Sequence, residues 1–378
     1  MTATKPKFGS ALDGYWGSHG SVHVNFIGTD DHLHELYIAP GAGWVDNDLS
    51  ELAGAAPPGN SALVHYLGSD GSRHVNFFAP GTDYNHVQEL YAAPGLGWSS
   101  HDLTSLADGF VPNAGRALAG YWGSDNSQHV NYIGSDDHVH ELYAHPGAAG
   151  WVDNDLTALS GGAAPLVGYP TTALVGYWGS DSSQHVNFVS WTGSEAHVHE
   201  LYIAPGAAGW VDNDLTALAG AAKPRTGPPP SALAGYWGSD GSVHINFFSV
   251  DGHVHELYIR PGASWVDNDL TALAGAVPAA EASVLAGYWG SDSSVHVNFI
   301  GTDGHVHELY IRPGAGWVDN DLTALAGAEQ PALDTALAGY WGSDSSVHVN
   351  FIGTDGDVHE LYIAPGTSWV DNNLTELA

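Results

Sequence analysis

The stretch LAGYWGSDSSVHVNFIGTDGHVHELYIRPGAGWVDNDLTAL, residues 285–325, decides the fold, because close copies of it occupy nearly all of the 378-residue chain. Each copy begins with a short apolar run that contains one tyrosine, termed the opening tyrosine. Successive opening tyrosines are 51, 55, 56, 59, 52 and 52 residues apart. They are Tyr15, Tyr66, Tyr121, Tyr177, Tyr236, Tyr288 and Tyr340. Repeats of this length are typical of propeller blades and are too long for most helical solenoid units.

Each copy contains four short apolar runs that are separated by turn residues. In the second run Val295, Val297 and Phe299 alternate with His296 and Asn298, which is the period of two expected of a strand. Glycine and aspartate follow this run, and a Pro-Gly pair ends the third run. The pattern predicts four strands in a small antiparallel sheet.

The sequence therefore predicts an all-β fold, a seven-bladed β-propeller of four-stranded antiparallel blades, because one such sheet buries too little apolar surface to be stable alone. We expect the ring to close by pairing of the N- and C-terminal strands, with the opening strand near Leu12 to Trp16 completing the last blade. Asp321 to Gly327 could form a helical turn, but the propeller interpretation makes them a strand end and a loop. Residues 1–10 are an N-terminal lead, and residues 11–378 form a single propeller with repeats at 11–52, 62–106, 117–159, 173–218, 232–273, 284–325 and 336–378.

The amino-acid composition indicates which classes of partner and which cellular compartment to expect. The chain has 8 Lys and Arg against 42 Asp and Glu, a net charge of −34, and such a surface repels the phosphates of nucleic acid. No apolar run is long enough for membrane insertion, and the first ten residues lack the apolar core of a signal peptide. We expect a protein that is cytoplasmic or released without a signal peptide, and an oligomer is compatible with the sequence. The absence of cysteine excludes thiolate sites and disulfides.

Every copy has a histidine on its second strand and a glutamate on its third. These two side chains would face each other across the ladder and share a charge-assisted hydrogen bond. Two interpretations stay open, a polar clamp inside the blade and a pair that binds a ligand. The pairs are His23 and Glu35, His74 and Glu89, His129 and Glu141, His185 and Glu200, His244 and Glu256, His296 and Glu308, and His348 and Glu360.

Every copy also places a tryptophan at the start of its fourth strand. An indole beside polar donors and acceptors is the usual composition of a sugar site, because the ring covers the apolar face of the sugar. The fourth-strand tryptophans are Trp44, Trp98, Trp151, Trp210, Trp265, Trp317 and Trp369.

A further tryptophan follows the opening tyrosine directly in six of the seven copies. These residues are termed the opening tryptophans, and we assign them to the core, because one indole per blade is common in propeller cores. They are Trp16, Trp122, Trp178, Trp237, Trp289 and Trp341.

The order LAGYWG, VHVNFIG, GHVHELY and GWVDNDL resembles the repeat of the fungal fucose-specific lectins. The resemblance implies a β-propeller in which sugar lies between neighbouring blades, held by an arginine and a glutamate of one copy and an aromatic residue of the next. The glutamate and the fourth-strand tryptophan match in all seven copies, whereas the arginine position is histidine in every copy. A neutral imidazole offers one donor where a guanidinium offers a fork of several.

The resemblance implies seven pockets, each with the His-Glu pair of one copy and the fourth-strand tryptophan of the next. Ile203, Ile259 and Ile311 would form apolar walls. The pockets would join His23 and Glu35 with Trp98, His74 and Glu89 with Trp151, His129 and Glu141 with Trp210, His185 and Glu200 with Trp265, His244 and Glu256 with Trp317, His296 and Glu308 with Trp369, and His348 and Glu360 with Trp44.

We therefore predict a multivalent carbohydrate-binding lectin whose partners are glycans, and not an enzyme, because no nucleophile-base-orienter arrangement stands out and seven near-equal sites are unusual for catalysis. The alternatives are a propeller scaffold for protein-protein interaction and a glycoside-processing enzyme. His-Val-His-Glu could chelate Zn, Ni or Cu, but only two ligands per blade are evident. Asp-Asn-Asp could hold Ca²⁺, but capping of a strand-end turn fits it better. No metal site and no cofactor are predicted.

Overall fold

The computed structural model describes residues 3–59, 61–80, 85–113, 117–167, 173–226 and 232–378. Its strands form seven sheets, each of four antiparallel strands that follow one another in chain order. These sheets are termed blades 1 to 7. The predicted all-β architecture of seven four-stranded blades, a β-propeller, is confirmed.

Each of the first four blades ends in a short helix that follows its fourth strand. Blade 1 comprises β1 (Leu12–Trp16), β2 (Val22–Ile27), β3 (Leu33–Ile38), β4 (Val45–Asp48) and α1 (Leu49–Ala53). Blade 2 comprises β5 (Leu63–Leu67), β6 (Arg73–Pro80), β7 (Asn85–Ala92), β8 (Ser99–Asp102) and α2 (Leu103–Ala107). Blade 3 comprises β9 (Leu118–Trp122), β10 (Gln128–Ile133), β11 (Val139–Ala144), β12 (Val152–Asp155) and α3 (Leu156–Ser160). Blade 4 comprises β13 (Leu174–Trp178), β14 (Gln184–Thr192), β15 (Glu195–Ile203), β16 (Val211–Asp214) and α4 (Leu215–Ala219).

The last three blades repeat the same order of elements. Blade 5 comprises β17 (Leu233–Trp237), β18 (Val243–Phe248), β19 (Val254–Ile259), β20 (Val266–Asp269) and α5 (Leu270–Ala274). Blade 6 comprises β21 (Ala286–Trp289), β22 (Val295–Ile300), β23 (Val306–Ile311), β24 (Val318–Asp321) and α6 (Leu322–Ala326). Blade 7 comprises β25 (Leu337–Trp341), β26 (Val347–Ile352), β27 (Val358–Ile363), β28 (Val370–Asn373) and α7 (Leu374–Leu377). Within the described residues, no helix is long and apolar enough to span a membrane.

The chain divides into two compact units. The first contains Met1–Leu52, Gly252–Val254 and Asp269–Ala378, and the second contains Ala53–Asp251 and His255–Asn268. The first unit therefore holds blades 1, 6 and 7, and the second holds blades 2, 3 and 4 with most of blade 5.

The hydrophobic core lies between neighbouring blades within each unit. In the first unit Phe26 of blade 1 and Val358 of blade 7 belong to one buried cluster. In the second unit Val198 of blade 4 and Phe247 of blade 5 belong to another. Because both faces of β22 are covered, all of Val295–Ile300 is buried, including its polar residues. Polar side chains at such positions require partners within the protein.

The expected pairing of N- and C-terminal strands is wrong. Strand β1 pairs with β2 of its own copy, and blade 7 is complete with its own four strands. The reason is local, since each copy already supplies four strands and the opening strand meets its partner across a short turn. Blade 1 contacts blade 7 through side chains instead, and Trp16 Nε1 donates to Ser343 Oγ at 3.0 Å.

The expectation of a loop at Asp321 to Gly327 is also wrong, because Leu322–Ala326 form helix α6. The Asp321 side chain accepts a hydrogen bond from the Ala324 backbone N–H, and Gly327 closes the helix in the left-handed region at φ 63°. These are an N-cap and a C-terminal glycine in their usual places. The capping role predicted for the Asp-Asn-Asp motif is thereby confirmed.

Candidate functional site

A hydrogen-bonded chain of buried and half-buried polar side chains crosses every blade, and blade 6 shows its form. His296 Nε2 lies 2.7 Å from Ser294 Oγ, and His296 Nδ1 lies 2.8 Å from Glu308 Oε1. Asn320 Nδ2 donates to the other oxygen of Glu308 at 2.9 Å. We term this set, Ser294, His296, Glu308 and Asn320 with their equivalents, the blade clamp. It joins the second, third and fourth strands of one blade.

The clamp brings together all seven predicted His-Glu pairs. The distance from histidine Nδ1 to glutamate Oε1 is 2.7 or 2.8 Å in every blade. The histidines are 0 to 4 % exposed and the glutamates 1 to 3 %. Both imidazole nitrogens are engaged inside the blade, so the geometry favours the polar-clamp interpretation for the imidazole itself.

Blade 2 keeps the clamp although its sequence diverges most. His101 stands where the other blades have asparagine, and its Nδ1 lies 3.2 Å from Glu89 Oε2. Burial would raise the pKa of Glu89, but hydrogen bonds and attraction from His101 and His74 outweigh it and hold the pKa below its usual value. Glu89 is therefore kept as a carboxylate that accepts from two imidazoles.

The clamp has the atom order of a serine hydrolase, with Ser294 Oγ, His296 and Glu308 in line. The sequence predicted no such arrangement, and the structure shows one. Ser294, however, is fully buried, and its hydroxyl also bonds to the Asp292 carboxylate, which accepts its proton. The Ser294 hydroxyl proton is thus directed to Asp292 and not to His296. A hydroxyl held in this way is not an activated nucleophile.

Five of the opening tryptophans, Trp16, Trp122, Trp178, Trp237 and Trp341, lie in clefts between adjacent blades of one unit. Trp122 and Trp237 also pack beside the buried clusters there, so the assignment to the core holds only in part. Their indoles are half-buried, and the ring of one blade stands against the clamp histidine of the preceding blade. Trp237, for example, lies 5.3 Å from His185 between ring centroids, and Trp341 lies 5.3 Å from His296. The same contact joins Trp16 to His348, Trp122 to His74, and Trp178 to His129.

A cavity of about 470 Å³ opens between blades 4 and 5, inside the second compact unit. Clamp residues His185, Glu200 and Asn213 belong to blade 4, and the indoles of Trp237 and Trp265 come from blade 5. The remaining lining is Ser180, Asp181, Tyr202, Gly241, Val243, Ile259, Arg260, Pro261 and Gly262. Since His185 and Glu200 are only 4 and 3 % exposed, they form the floor of the cavity rather than its walls.

Tyr202 supplies a neutral hydroxyl to this cavity. Burial, together with the charges of Asp181 and Glu200, raises the pKa of Tyr202 above its ordinary value. The hydroxyl therefore stays protonated and can both donate and accept. The cavity thus combines two indole faces, an aliphatic wall at Ile259 and several polar groups.

The predicted trio of His185, Glu200 and Trp265 is brought together in this cavity. Of the isoleucines expected as apolar walls, Ile259 lines it, whereas Ile203, which follows the Glu-Leu-Tyr of blade 4, is not among the lining residues. Four other predicted trios combine residues of adjacent blades within one unit. Their tryptophans are partly buried and pack against the hydrophobic clusters between those blades. The four tryptophans are Trp44, Trp151, Trp210 and Trp369. The trios of His23, Glu35 and Trp98, and of His244, Glu256 and Trp317, combine residues of different units and stay predictions.

Ten of the fourteen lining residues were missed from sequence, and the most informative of them are Tyr202, Asn213 and Trp237. Strand register gives a signal for the first two, because Tyr202 lies opposite His185 and Asn213 lies opposite Glu200 in the ladder. Trp237 had no such signal, since a half-buried indole between blades and a core indole have the same sequence pattern.

Comparison with known proteins supports the fold. No family model and no curated protein matches the sequence. Among solved structures, the chain is similar to the BP39L lectin from Burkholderia pseudomallei, with a TM-score of 0.64, 14 % identity and 98 % of each chain covered. A variant of the Aleuria aurantia lectin in complex with alpha-methyl-L-fucoside has a TM-score of 0.56 and 14 % identity, covering 98 % of this chain and 96 % of that one. AofleA from Arthrobotrys oligospora has a TM-score of 0.53 and 13 % identity, covering 98 % and 87 %. At these identities the similarity shows the β-propeller fold, and the resemblance to fungal fucose-specific lectins extends over most of the chain.

Proposed function

We propose that this β-propeller is a multivalent carbohydrate-binding lectin and not an enzyme, with sugar pockets in the clefts between blades. The observation that carries the proposal is the cavity between blades 4 and 5, where Trp237 and Trp265 stand beside Tyr202 and Glu200. A monosaccharide presents apolar C–H faces and polar hydroxyl edges. Indoles cover the first, and hydroxyl and carboxylate groups bond the second.

Repetition would compensate for weak single sites. A sugar site with a Kd near 1 mM has a binding free energy of about −4 kcal/mol. Several pockets on one chain convert later binding events into intramolecular ones when glycans are displayed on a surface. The partners of this protein would then be clustered glycans or glycoconjugates.

Fucose or a related monosaccharide is the first sugar to test. The similar structures include the Aleuria aurantia lectin bound to alpha-methyl-L-fucoside and to Fucalpha1-6GlcNAc. The arginine of the fungal repeat is a clamp histidine here, and both ring nitrogens of His185 bond within blade 4. The pocket floor thus differs from that of the family, and we expect a panel that includes other monosaccharides to be informative.

Binding of the full chain to a glycan array, followed by titration calorimetry with the best monosaccharide, tests the proposal. Trp265→Ala should weaken binding at the pocket between blades 4 and 5. Trp191→Ala is the matched control, because this indole is exposed on the β14–β15 hairpin and does not line the cavity. Absence of any bound glycan at high protein concentration would favour the scaffold alternative. Release of free sugar by the purified chain would favour the enzyme.

A further inference from the structure

A second polar cluster lies at the opposite end of the strands from the clamp, where the hairpin between β22 and β23 meets the end of β24. In blade 6, His305 Nδ1 lies 2.8 Å from Asp321 Oδ2. Asp303 of the hairpin accepts the backbone N–H of His305 at 3.1 Å, and its Oδ2 lies 3.2 Å from His307 Nε2. One ligand atom from each of Asp303, His305 and Asp321 can be chosen so that all lie within 4.8 Å of one another.

Clusters of two aspartates and one histidine occur at this end of two other blades, under the same 4.8 Å limit. Blade 1 brings together Asp30, His32 and Asp48, the equivalents of the blade 6 residues. Blade 3 brings together Asp136, His140 and Asp155, and its histidine corresponds to His307 rather than to His305. In blade 1 the distance from His32 Nδ1 to Asp48 Oδ2 is 2.7 Å. The side chains of His32 and His305 are 37 and 27 % exposed, so solvent and ions can reach them.

Two blades hold a lysine ammonium in the corresponding place. In blade 4, Lys223 Nζ lies 2.9 Å from His197 Nε2, the equivalent of His305, and 3.3 Å from Glu195 of the hairpin. In blade 7, Lys5 Nζ lies 2.8 Å from Asp357 Oδ1, which replaces that histidine, and 3.2 Å from the Asp355 carbonyl. Lys223 belongs to the connector between blades 4 and 5, and Lys5 belongs to the segment before blade 1. In two blades, therefore, a positively charged group binds at this end of the hairpin.

We propose that the hairpin clusters of blades 1, 3 and 6 bind divalent transition-metal ions of the zinc class. Each supplies two carboxylates and an imidazole, and water completes the coordination. The imidazole nitrogen favours Zn²⁺ or Ni²⁺ over Ca²⁺, which takes oxygen ligands. In blade 6 the metal takes the place of the proton between His305 Nδ1 and Asp321, and the neutral imidazole keeps its proton on Nε2. The inference is independent of the proposed sugar pockets and revises the expectation from sequence that no metal binds.

The connectors that follow blades 3 and 6 lack the lysine that binds at this hairpin in blades 4 and 7. The connector residue that corresponds to Lys223 is Gln330 for blade 6 and Ala164 for blade 3. Neither side chain carries a charge. The net charge of −34 also raises the local concentration of cations near such clusters.

Equilibrium dialysis of the full chain against Zn²⁺, with bound zinc counted by elemental analysis, tests the proposal. His305→Ala should lose one equivalent of zinc relative to the unsubstituted chain, and His32→Ala should do the same. Asp357→Ala changes the corresponding position of blade 7 and should lose none. Far-ultraviolet circular dichroism verifies that each variant is folded. If an alanine variant is unfolded, the glutamine substitution at the same position is used in its place.

The proposal is overturned if His305→Ala and His32→Ala bind as much zinc as the unsubstituted chain. It is equally overturned if Asp357→Ala loses as much as they do, because the bound zinc would then reflect the acidic surface in general. A competition arm adds millimolar Ca²⁺. The imidazole sites should keep their zinc, and displacement of the histidine-dependent equivalents by Ca²⁺ would contradict the assignment of a nitrogen ligand.

Discussion

The indole N–H of Trp237 in blade 5 donates to Ser180 Oγ in blade 4 at 2.9 Å. Equivalent bonds join Trp178 to Ser124 and Trp341 to Ser291. The bond fixes the plane of a half-buried indole at the mouth of the cleft. In these blades the opening tryptophan therefore presents an oriented aromatic face to the cleft shared with the preceding blade.

Trp237→Ala should weaken monosaccharide binding at the cavity between blades 4 and 5 by about tenfold, which corresponds to about 1.4 kcal/mol. The reason is the loss of one of two indole faces in that cavity. Titration calorimetry with Trp191→Ala as control measures the effect. Equal affinity of the two variants would show that the opening indole does not touch the ligand.

Glu308→Ala should destabilise the fold by about 3 to 5 kcal/mol, because it leaves the buried clamp of blade 6 without its acceptor. Glu308 is 3 % exposed and accepts from His296 and Asn320. Urea unfolding followed by tryptophan fluorescence gives the free energy. A change below about 0.5 kcal/mol, the usual range for surface substitutions, would mean that the clamp contributes little to stability.

Gly14→Ala should destabilise the contact between blades 1 and 7 by about 1 to 3 kcal/mol. An added Cβ would lie 2.6 Å from Tyr340 Cε1 and 2.8 Å from Asn350 Oδ1. Gly43→Ala is the control, because its Cβ would meet nothing within 4 Å. Thermal unfolding of both variants provides the comparison, and equal midpoints would contradict the close approach of the two blades.

The contribution of His359 to stability should decrease as pH rises. Burial would lower the pKa of His359, but hydrogen bonds and attraction from Asp371 and Asp355 outweigh it and raise the pKa above 6.5. Phe351 stacks on the ring, and the nearby Lys5 is paired with Asp357. A raised folded-state pKa gives stability that is fully present below the unfolded value near 6.5 and is lost as pH rises through the folded value.

His359→Gln removes this dependence. The unfolding free energy of the unsubstituted chain should exceed that of the variant by more at pH 6 than at pH 9, with a loss of about 1 to 3 kcal/mol at the lower pH. Urea titrations at the two pH values measure the difference. A gap that stays constant or widens with pH would show that the charged imidazole is not the stabilising form.

Much of the blade was predictable because strand and turn signals are local. The alternation of Val295, Val297 and Phe299 predicted β22, and the fixed His296 to Glu308 spacing predicted their contact. Helix α6 was missed because five residues are too few to show a helical period, although Asp321 and Gly327 carried capping signals.

Other features depended on information that a repeat does not contain. The position of Trp237 in a cleft follows from how the blades pack. The sequence pattern around an opening tryptophan is the same whether the indole is fully buried or half-buried, so the pattern does not predict its exposure. The metal clusters needed the register of β23 and β24, which brings His305 beside Asp321 although 16 residues separate them. The sequence pattern indicated only two metal-ligating residues per blade, whereas the structure brings three together in blade 6.

The position of a bound monosaccharide tests the central claim most directly. Crystals of the full chain soaked with alpha-methyl-L-fucoside, galactose and mannose in turn should show one of these sugars between Trp237 and Trp265, with its hydroxyls within hydrogen-bond distance of Tyr202. If crystals at saturating sugar leave that cleft without a sugar, while the same protein binds immobilised glycans through another surface, the interblade pocket is not the binding site.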